Sequence, residues 1–202
     1  MVIKKVISSE SVKKIRETLL TKLKKSKRPT VYVMAGIPGS GKSTFVAKAQ
    51  SAGLFPRVAF VLNPDIVMVK LPEYQDLVRQ KGPEKAFTIL ELPVRNLAYD
   101  LCTEAIKIKS DIIKDMGSAR QENYDMLKEV KESGYILKMY VILVETREAM
   151  RRCALRKGRY TPPRLISERN LSLKGLIPKY TELVDELHYL DNNDSTRPFG
   201  KL

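Results

Sequence analysis

TVYVMAGIPGSGKST, residues 30–44, decides the fold. Its first six residues are apolar and partly β-branched, the composition of a short strand buried on both faces. The next eight, Gly36-Ile-Pro-Gly-Ser-Gly41-Lys42-Ser43, satisfy G-x-x-x-x-G-K-[ST] between that strand and a helix, the context a phosphate-binding loop requires. Glycines let the backbone close around a phosphate without Cβ clashes, so successive amides and the helix N-terminus point at one anion. Gly36, Pro38, Gly39, Ser40, Gly41, Lys42, Ser43 and Thr44 are therefore the candidate nucleotide-binding residues. Lys42 reaches the β- and γ-phosphates, and the Ser43 hydroxyl is placed to ligate magnesium. The expected cofactors are ATP or GTP with Mg2+.

Outward from this loop, strands alternate with helices. The spacing predicts a helix from Lys42 to Ala52 closed by Gly53, a strand over Arg57–Asn63 and a helix starting at Asn63-Pro64-Asp65. Pro83–Lys109 reads as helical with an interruption at Pro93, Ser110–Asp115 as a strand and Ala119–Ser133 as a helix. Leu137–Val144 is the clearest strand, followed by a polar helix over Glu145–Lys157. Past Pro162-Pro163 come two short helices and a last strand around Leu187–Leu190. This alternation predicts an α/β P-loop NTPase fold, a parallel sheet of about five strands covered on both faces. Residues 1–29 read as a basic amphipathic helix, capped by Ser8 or Ser9 and packed on a P-loop domain of residues 30–202, one domain in all.

Composition agrees. The chain has 202 residues, 43% hydrophobic and 30% charged, as one ordinary globular domain should. No apolar run reaches the ~18 residues of a membrane helix and no leader pattern opens the chain, so a cytoplasmic protein without membrane contact is expected. Cys102 and Cys153 lack paired spacing and read as free thiols, and the lone His188 as structural. The net charge is +14, concentrated in residues 1–30, with ten Lys/Arg against two Glu, and in residues 145–179, with ten against three. Such a distribution suits solvated faces, a phosphate clamp or a nucleic-acid partner.

A P-loop specifies a nucleoside triphosphate, not a reaction. Asp191-Asn-Asn-Asp194 is not the base-specifying loop of a GTPase, and the length leaves no room for a motor's coupling apparatus. A small phosphotransferase remains, and it needs an acceptor-side base and a charge clamp. Asp65 follows the second strand at the edge where α/β sheets bind ligands and is the candidate base. Asp115 ends another strand, placed to bind magnesium through water or to orient the acceptor. Arg152, Arg156 and Arg159 fall at i, i+4 and i+7 and would share a lid face if their helix continued past Gly158.

The ordered set Ala35–Thr44, Asn63-Pro-Asp65 with Leu71-Pro-Glu-Tyr74, Asp111–Ser118, Gly134-Tyr135 before Lys138–Val144, and the arginine segment ending Gly158-Arg159-Tyr-Thr-Pro162 resembles the zeta-toxin family of P-loop kinases. The resemblance spans about Thr30 to Asn192. It implies transfer of the ATP or GTP γ-phosphate, with magnesium, to a hydroxyl of a nucleotide sugar, commonly the 3′-hydroxyl of UDP-N-acetylglucosamine. It implies Asp65 as base, Arg156 and Arg159 as transition-state clamp, Asp115 and Glu91 as acceptor contacts, and an antitoxin partner for members that act as toxins. Two features depart from the family pattern: the third strand ends Asp115-Met-Gly-Ser118, where relatives carry an acid directly before Gly or Thr, and the basic N-terminal helix is not a family hallmark. The same order also resembles polynucleotide 5′-kinases, which the charge would suit. A third reading is a nucleotide-regulated nucleic-acid-binding module without kinase activity.

Overall fold

The computed structural model describes residues 6–156, 161–194, 196 and 198–201. Its elements are α1 (Ser9–Leu20), β1 (Thr30–Ala35), α2 (Lys42–Ser51), β2 (Phe60–Leu62), α3 (Pro64–Lys70), α4 (Pro72–Lys81), α5 (Pro83–Ile108), β3 (Ile112–Lys114), α6 (Gln121–Glu132), β4 (Ile136–Leu143), α7 (Thr146–Ala154), α8 (Pro163–Leu183), β5 (Glu186–Asp191) and β6 (Gly200–Lys201). The sheet runs β2-β3-β1-β4-β5-β6. Its first five strands are parallel, and β6 adds an antiparallel edge pair that the sequence did not announce. Because β1 lies between β3 and β4, the chain order reverses at its carboxyl end, and α/β sheets open their ligand crevice at such a switch point.

Side chains alternate across the sheet with the period of two that strand geometry imposes. Val31, Val33 and Ala35 of β1, with Leu137, Met139 and Val141 of β4, face a large core shared with helices α1, α3–α6 and α8. Met34, Tyr140 and Ile142 face the smaller core under α2, where Phe45 packs on Phe55, Tyr140 and Phe199 with ring centroids 5.3–5.7 Å apart. His188 stacks on Tyr140 at 4.8 Å, a packing role.

Helix α1 is capped by Ser8, whose Oγ accepts from Ser11 N. Its Ile15 enters the large core, while Ser8 N and Ser11 Oγ donate to the Glu73 carboxylate on α4. The basic helix is shorter than its periodicity suggests, because α1 ends at Leu20. Two further expectations are corrected. Pro93 does not interrupt α5, which runs unbroken for 26 residues. The cost of an internal proline, about 3 kcal/mol, is offset by burial of Leu90 and Val94, worth roughly 1.5–3 kcal/mol each. The two short helices after Pro162 are a single 21-residue helix, α8, which starts with Pro163 at its favoured first position and carries Pro178 inside. Burial of Leu173, Leu176 and Tyr180 holds it together. Helix α4, over residues to which the sequence reading assigned no element, has Pro72 as its first helical residue. Among the described residues no helix is long and apolar enough to cross a membrane.

Candidate active site

The loop after β1 is held in the shape that its glycines permit. Gly39 has φ +84°, and a Cβ there would lie 2.4 Å from the Ala149 carbonyl oxygen of α7. Gly41 has φ +94°, and a Cβ would lie 2.5 Å from Asn192 Nδ2. Both positions therefore require glycine for conformation and for space. Asn192 Nδ2 donates to Ser40 O at 2.8 Å, and Lys42 Nζ lies over the loop, 3.0 Å from Gly36 O and 2.8 Å from Ile37 O. The α2 N-terminus follows directly, with its amides aimed into the same space.

Beside this loop lies Asp115, buried at the end of β3. Its Oδ2 accepts from Ser43 Oγ at 2.7 Å and from Asn63 Nδ2 at 2.6 Å. Its Oδ1 is buried without a hydrogen-bond partner. A hydroxyl and a carboxylate with an unsatisfied buried oxygen, next to a phosphate loop, form a donor set that fits Mg2+, which takes one or two protein oxygens and completes its shell with water and phosphate. Among the described residues there is no cluster of three or more His, Cys, Asp or Glu side chains for an all-protein metal site.

Asn63 has two jobs. Its Oδ1 caps α3 by accepting from Asp65 N and Ile66 N, at 3.1 and 3.3 Å, and its Nδ2 holds Asp115. One side chain thus fixes Asp65 and Asp115 relative to each other.

Loop, Asp115 and Asp65 open onto one cavity of about 470 Å³. Gly36, Pro38, Gly39, Gly41, Lys42, Ser43 and Thr44 line it, as do Glu91 and Arg156, whereas Ser40 is fully buried behind the loop. Glu91 is ion-paired with Arg95 one turn along α5. Arg156 is exposed and lies beyond the end of α7 at Ala154, so Arg152 and Arg156 do not share a helical face. Arg152 is instead tied down by Glu148 Oε1 at 2.7 Å and Asn192 O at 2.9 Å. Arg159 lies outside the described residues.

Several residues at the site escaped sequence reading. Arg95 of α5, Arg120 before α6 and Arg169 of α8 line the cavity together. Burial, then the neighbouring Arg120 guanidinium, lowers the pKa of both Arg95 and Arg169 below the ordinary arginine value, and Asp65 opposes the shift at Arg95. These arginines are scattered over 75 residues of sequence, so no local motif marks them. Lys114 is fully buried, and its Nζ donates to Ser118 Oγ at 2.9 Å. Burial pushes this amine down to about 7, partly opposed by Cys102 and Asp115. Burial pushes the Cys102 thiol up to about 12, as suits an inert core cysteine.

The Zeta toxin family model matches residues 16–199. A search of curated protein sequences finds no match. Among solved structures, one from the PezAT chromosomal toxin–antitoxin system of the human pathogen Streptococcus pneumoniae is 15% identical, covers 95% of this chain and 80% of its own, and superposes with a TM-score of 0.73. The AvrRxo1-ORF1:AvrRxo1-ORF2 structure with ATP is 14% identical over 96% of this chain, with a TM-score of 0.70. This chain spans 65% of that longer one. At such identities the superpositions establish a common fold, and the family match over nearly the whole sequence supplies the rest: the chain belongs to the Zeta toxin family of P-loop kinases.

Proposed function

We propose that this protein transfers the γ-phosphate of ATP or GTP, with Mg2+, to a hydroxyl of a nucleotide sugar such as UDP-N-acetylglucosamine or of a related nucleotide. The observation that carries the reading is that one cavity is lined together by Lys42, Ser43 and Asp115, by Asp65, and by Arg95, Arg120 and Arg169 from three other segments. The loop amides and Lys42 suffice for the donor's phosphates, so a second cationic set within the same cavity suits an acceptor that brings phosphates of its own.

In this mechanism the loop amides and Lys42 cradle the β- and γ-phosphates, and Ser43 with Asp115 would hold Mg2+. That ion would supply positive charge against the phosphates. The Asp65 carboxylate takes the proton of the acceptor hydroxyl as its oxygen bonds to the γ-phosphorus and the bond from phosphorus to the β,γ-bridging oxygen breaks, leaving the nucleoside diphosphate. Arg156, with Arg159, closes over the charge that spreads on the transferring group. Glu91 reaches the acceptor from α5. Asp115 differs from the role its resemblance implied, because its carboxylate is turned to Ser43 and Asn63. We assign it to the metal side and leave Met116 and Arg120 to the acceptor wall.

The test is label transfer from γ-labelled ATP to a panel of UDP-sugars, NAD, free nucleotides and 5′-hydroxyl RNA and DNA, with Lys42→Ala and Asp65→Asn alongside. Label on a nucleotide-class acceptor, lost in both variants, supports the reading; normal ATP binding with no labelled acceptor overturns it. The net charge of +14 favours one competitor, a polynucleotide 5′-kinase, which would label RNA or DNA ends with steep salt dependence. An antitoxin partner, as in the pneumococcal system, belongs to the same proposal: the wild type should arrest growth of a host cell and Lys42→Ala should not.

A further inference from the structure

A fully buried lysine that touches neither face of the cavity needs an explanation, because an amine without solvent is costly and a methionine of similar length would pack there at less cost. Lys114 is the last residue of β3, on the same side of the strand as Ile112, and so points into the large core. There Nζ donates to Ser118 Oγ at 2.9 Å, and that hydroxyl donates onward to Met34 O of β1 at 2.8 Å, both bonds buried. Ser118 itself has φ +53°, a conformation that side chains other than glycine seldom adopt, so the turn after β3 does not hold this shape unaided. A third buried bond, from Tyr180 Oη of α8 to Ser118 O at 2.9 Å, completes the restraint. Directly before it in the turn stands Gly117, whose carbonyl accepts from Gly36 N at 3.2 Å.

Ser118 is thus the point at which the strand feeding the P-loop, the strand ending in Asp115 and the helix carrying Arg169 are tied together. Three residues before it stands Asp115, whose carboxylate accepts from Ser43, and two residues after it stands Arg120, which lines the same cavity. We propose that Lys114 is a positioning residue: acting through the Ser118 hydroxyl, it locks the 115–120 turn so that Asp115 and Arg120 face the cavity in one fixed relation. The lysine contributes length and a donor at a depth where no shorter polar side chain on β3 would reach Ser118.

The inference rests on the kinase reading only for its consequences in turnover, so the experiment has an arm that needs no nucleotide. Lys114→Met, Ser118→Ala and the double variant are compared with wild type in hydrogen exchange of the peptide covering residues 115–120, and in the Mg2+ dependence of binding of a fluorescent ATP analogue. Each single variant should raise exchange in that peptide at least about tenfold while peptides from β1 and β4 keep wild-type rates. Each should also weaken the Mg2+-dependent part of ATP-analogue affinity several-fold and leave the Mg2+-free part unchanged. The double variant should be no worse than Ser118→Ala, because that substitution already cuts the Lys114 link together with the bond to Met34 O. Wild-type exchange in Lys114→Met, or additive effects in the double variant, would overturn the proposal. Should Lys114→Met fail to fold, Ser118→Ala reads the same link from its other end. Should ATP analogue not bind even the wild type, the kinase reading falls while the exchange arm still decides this one.

Discussion

The two ends of the cavity are built differently. The donor end is a contiguous stretch of chain, residues 36–44, pinned by bonds to Asn192 and Gly117 and packed against Ala149 without space for one added methyl group. The end proposed for the acceptor is assembled from α5, the turn before α6 and α8, and its cationic side chains are partly exposed. A site with one rigid end and one composite end can hold a common donor while its acceptor preference changes by substitution on separate helices.

This contrast predicts which kinetic parameter each end controls. The largest effect belongs to Lys42→Ala: with the amine over the loop removed, kcat/KM should fall about 10³-fold for every acceptor, as for loss of a preorganised charge-stabilising donor. Equal turnover in wild type and variant would break the comparison at its rigid end. Asp65→Asn comes next, with kcat reduced about 10²- to 10³-fold and ATP affinity unchanged, measured by steady-state transfer and by nucleotide titration. The amide keeps the shape and removes the base. A variant that lost ATP affinity instead would move Asp65 from acceptor chemistry to donor binding.

The donor end was legible because its signal is local: eight consecutive residues carry both the motif and its strand–helix context. Asp65 was also legible, since Pro64 marks a helix start at a strand's carboxyl end. The composite end was not. Arg95 lies two residues past Pro93, where the pattern predicts an interruption, and Arg169 lies in a segment read as two pieces, so neither had an assigned face. Tertiary burial of Leu90, Val94 and Tyr180 overrode both prolines. Asp115 was read at the right place, yet its direction depends on Asn63, 52 residues away, a contact that no spacing rule encodes. The same holds for Arg152: helical periodicity groups it with Arg156, but α7 stops at Ala154 and Asn192 holds its guanidinium.

The composite end should respond in KM. Arg120→Met and Arg169→Met are each expected to raise the acceptor's KM about tenfold, the value of one lost charged hydrogen bond, with kcat and ATP affinity within about twofold of wild type. Methionine retains the apolar stem and so separates charge from packing. An equal fall in kcat would mean that the arginines act on the transferring phosphoryl group, and the division between the two ends would fail.

The smallest effect tests how the rigid end is anchored to α7. Glu148 accepts from Arg151 and Arg152, and these hydrogen bonds hold its carboxyl down at about 2. A carboxylate with a folded pKa below its ordinary value of about 4.5 adds stability that is fully present above pH 4.5 and is lost as pH falls toward 2. The pair is at the surface, so Glu148→Gln should lower Tm at pH 7 by no more than about 2 °C, and the two melting curves should converge between pH 4.5 and pH 2. Arg152 would keep its bond to Asn192 O, and Asn192 its bond to Ser40 O, so ATP affinity should change less than about threefold. A Tm difference that persists unchanged at pH 2 would show that Glu148 acts through packing rather than charge. A large loss of ATP affinity would show that the P-loop takes its shape from α7, and the donor end would then be as composite as the acceptor end.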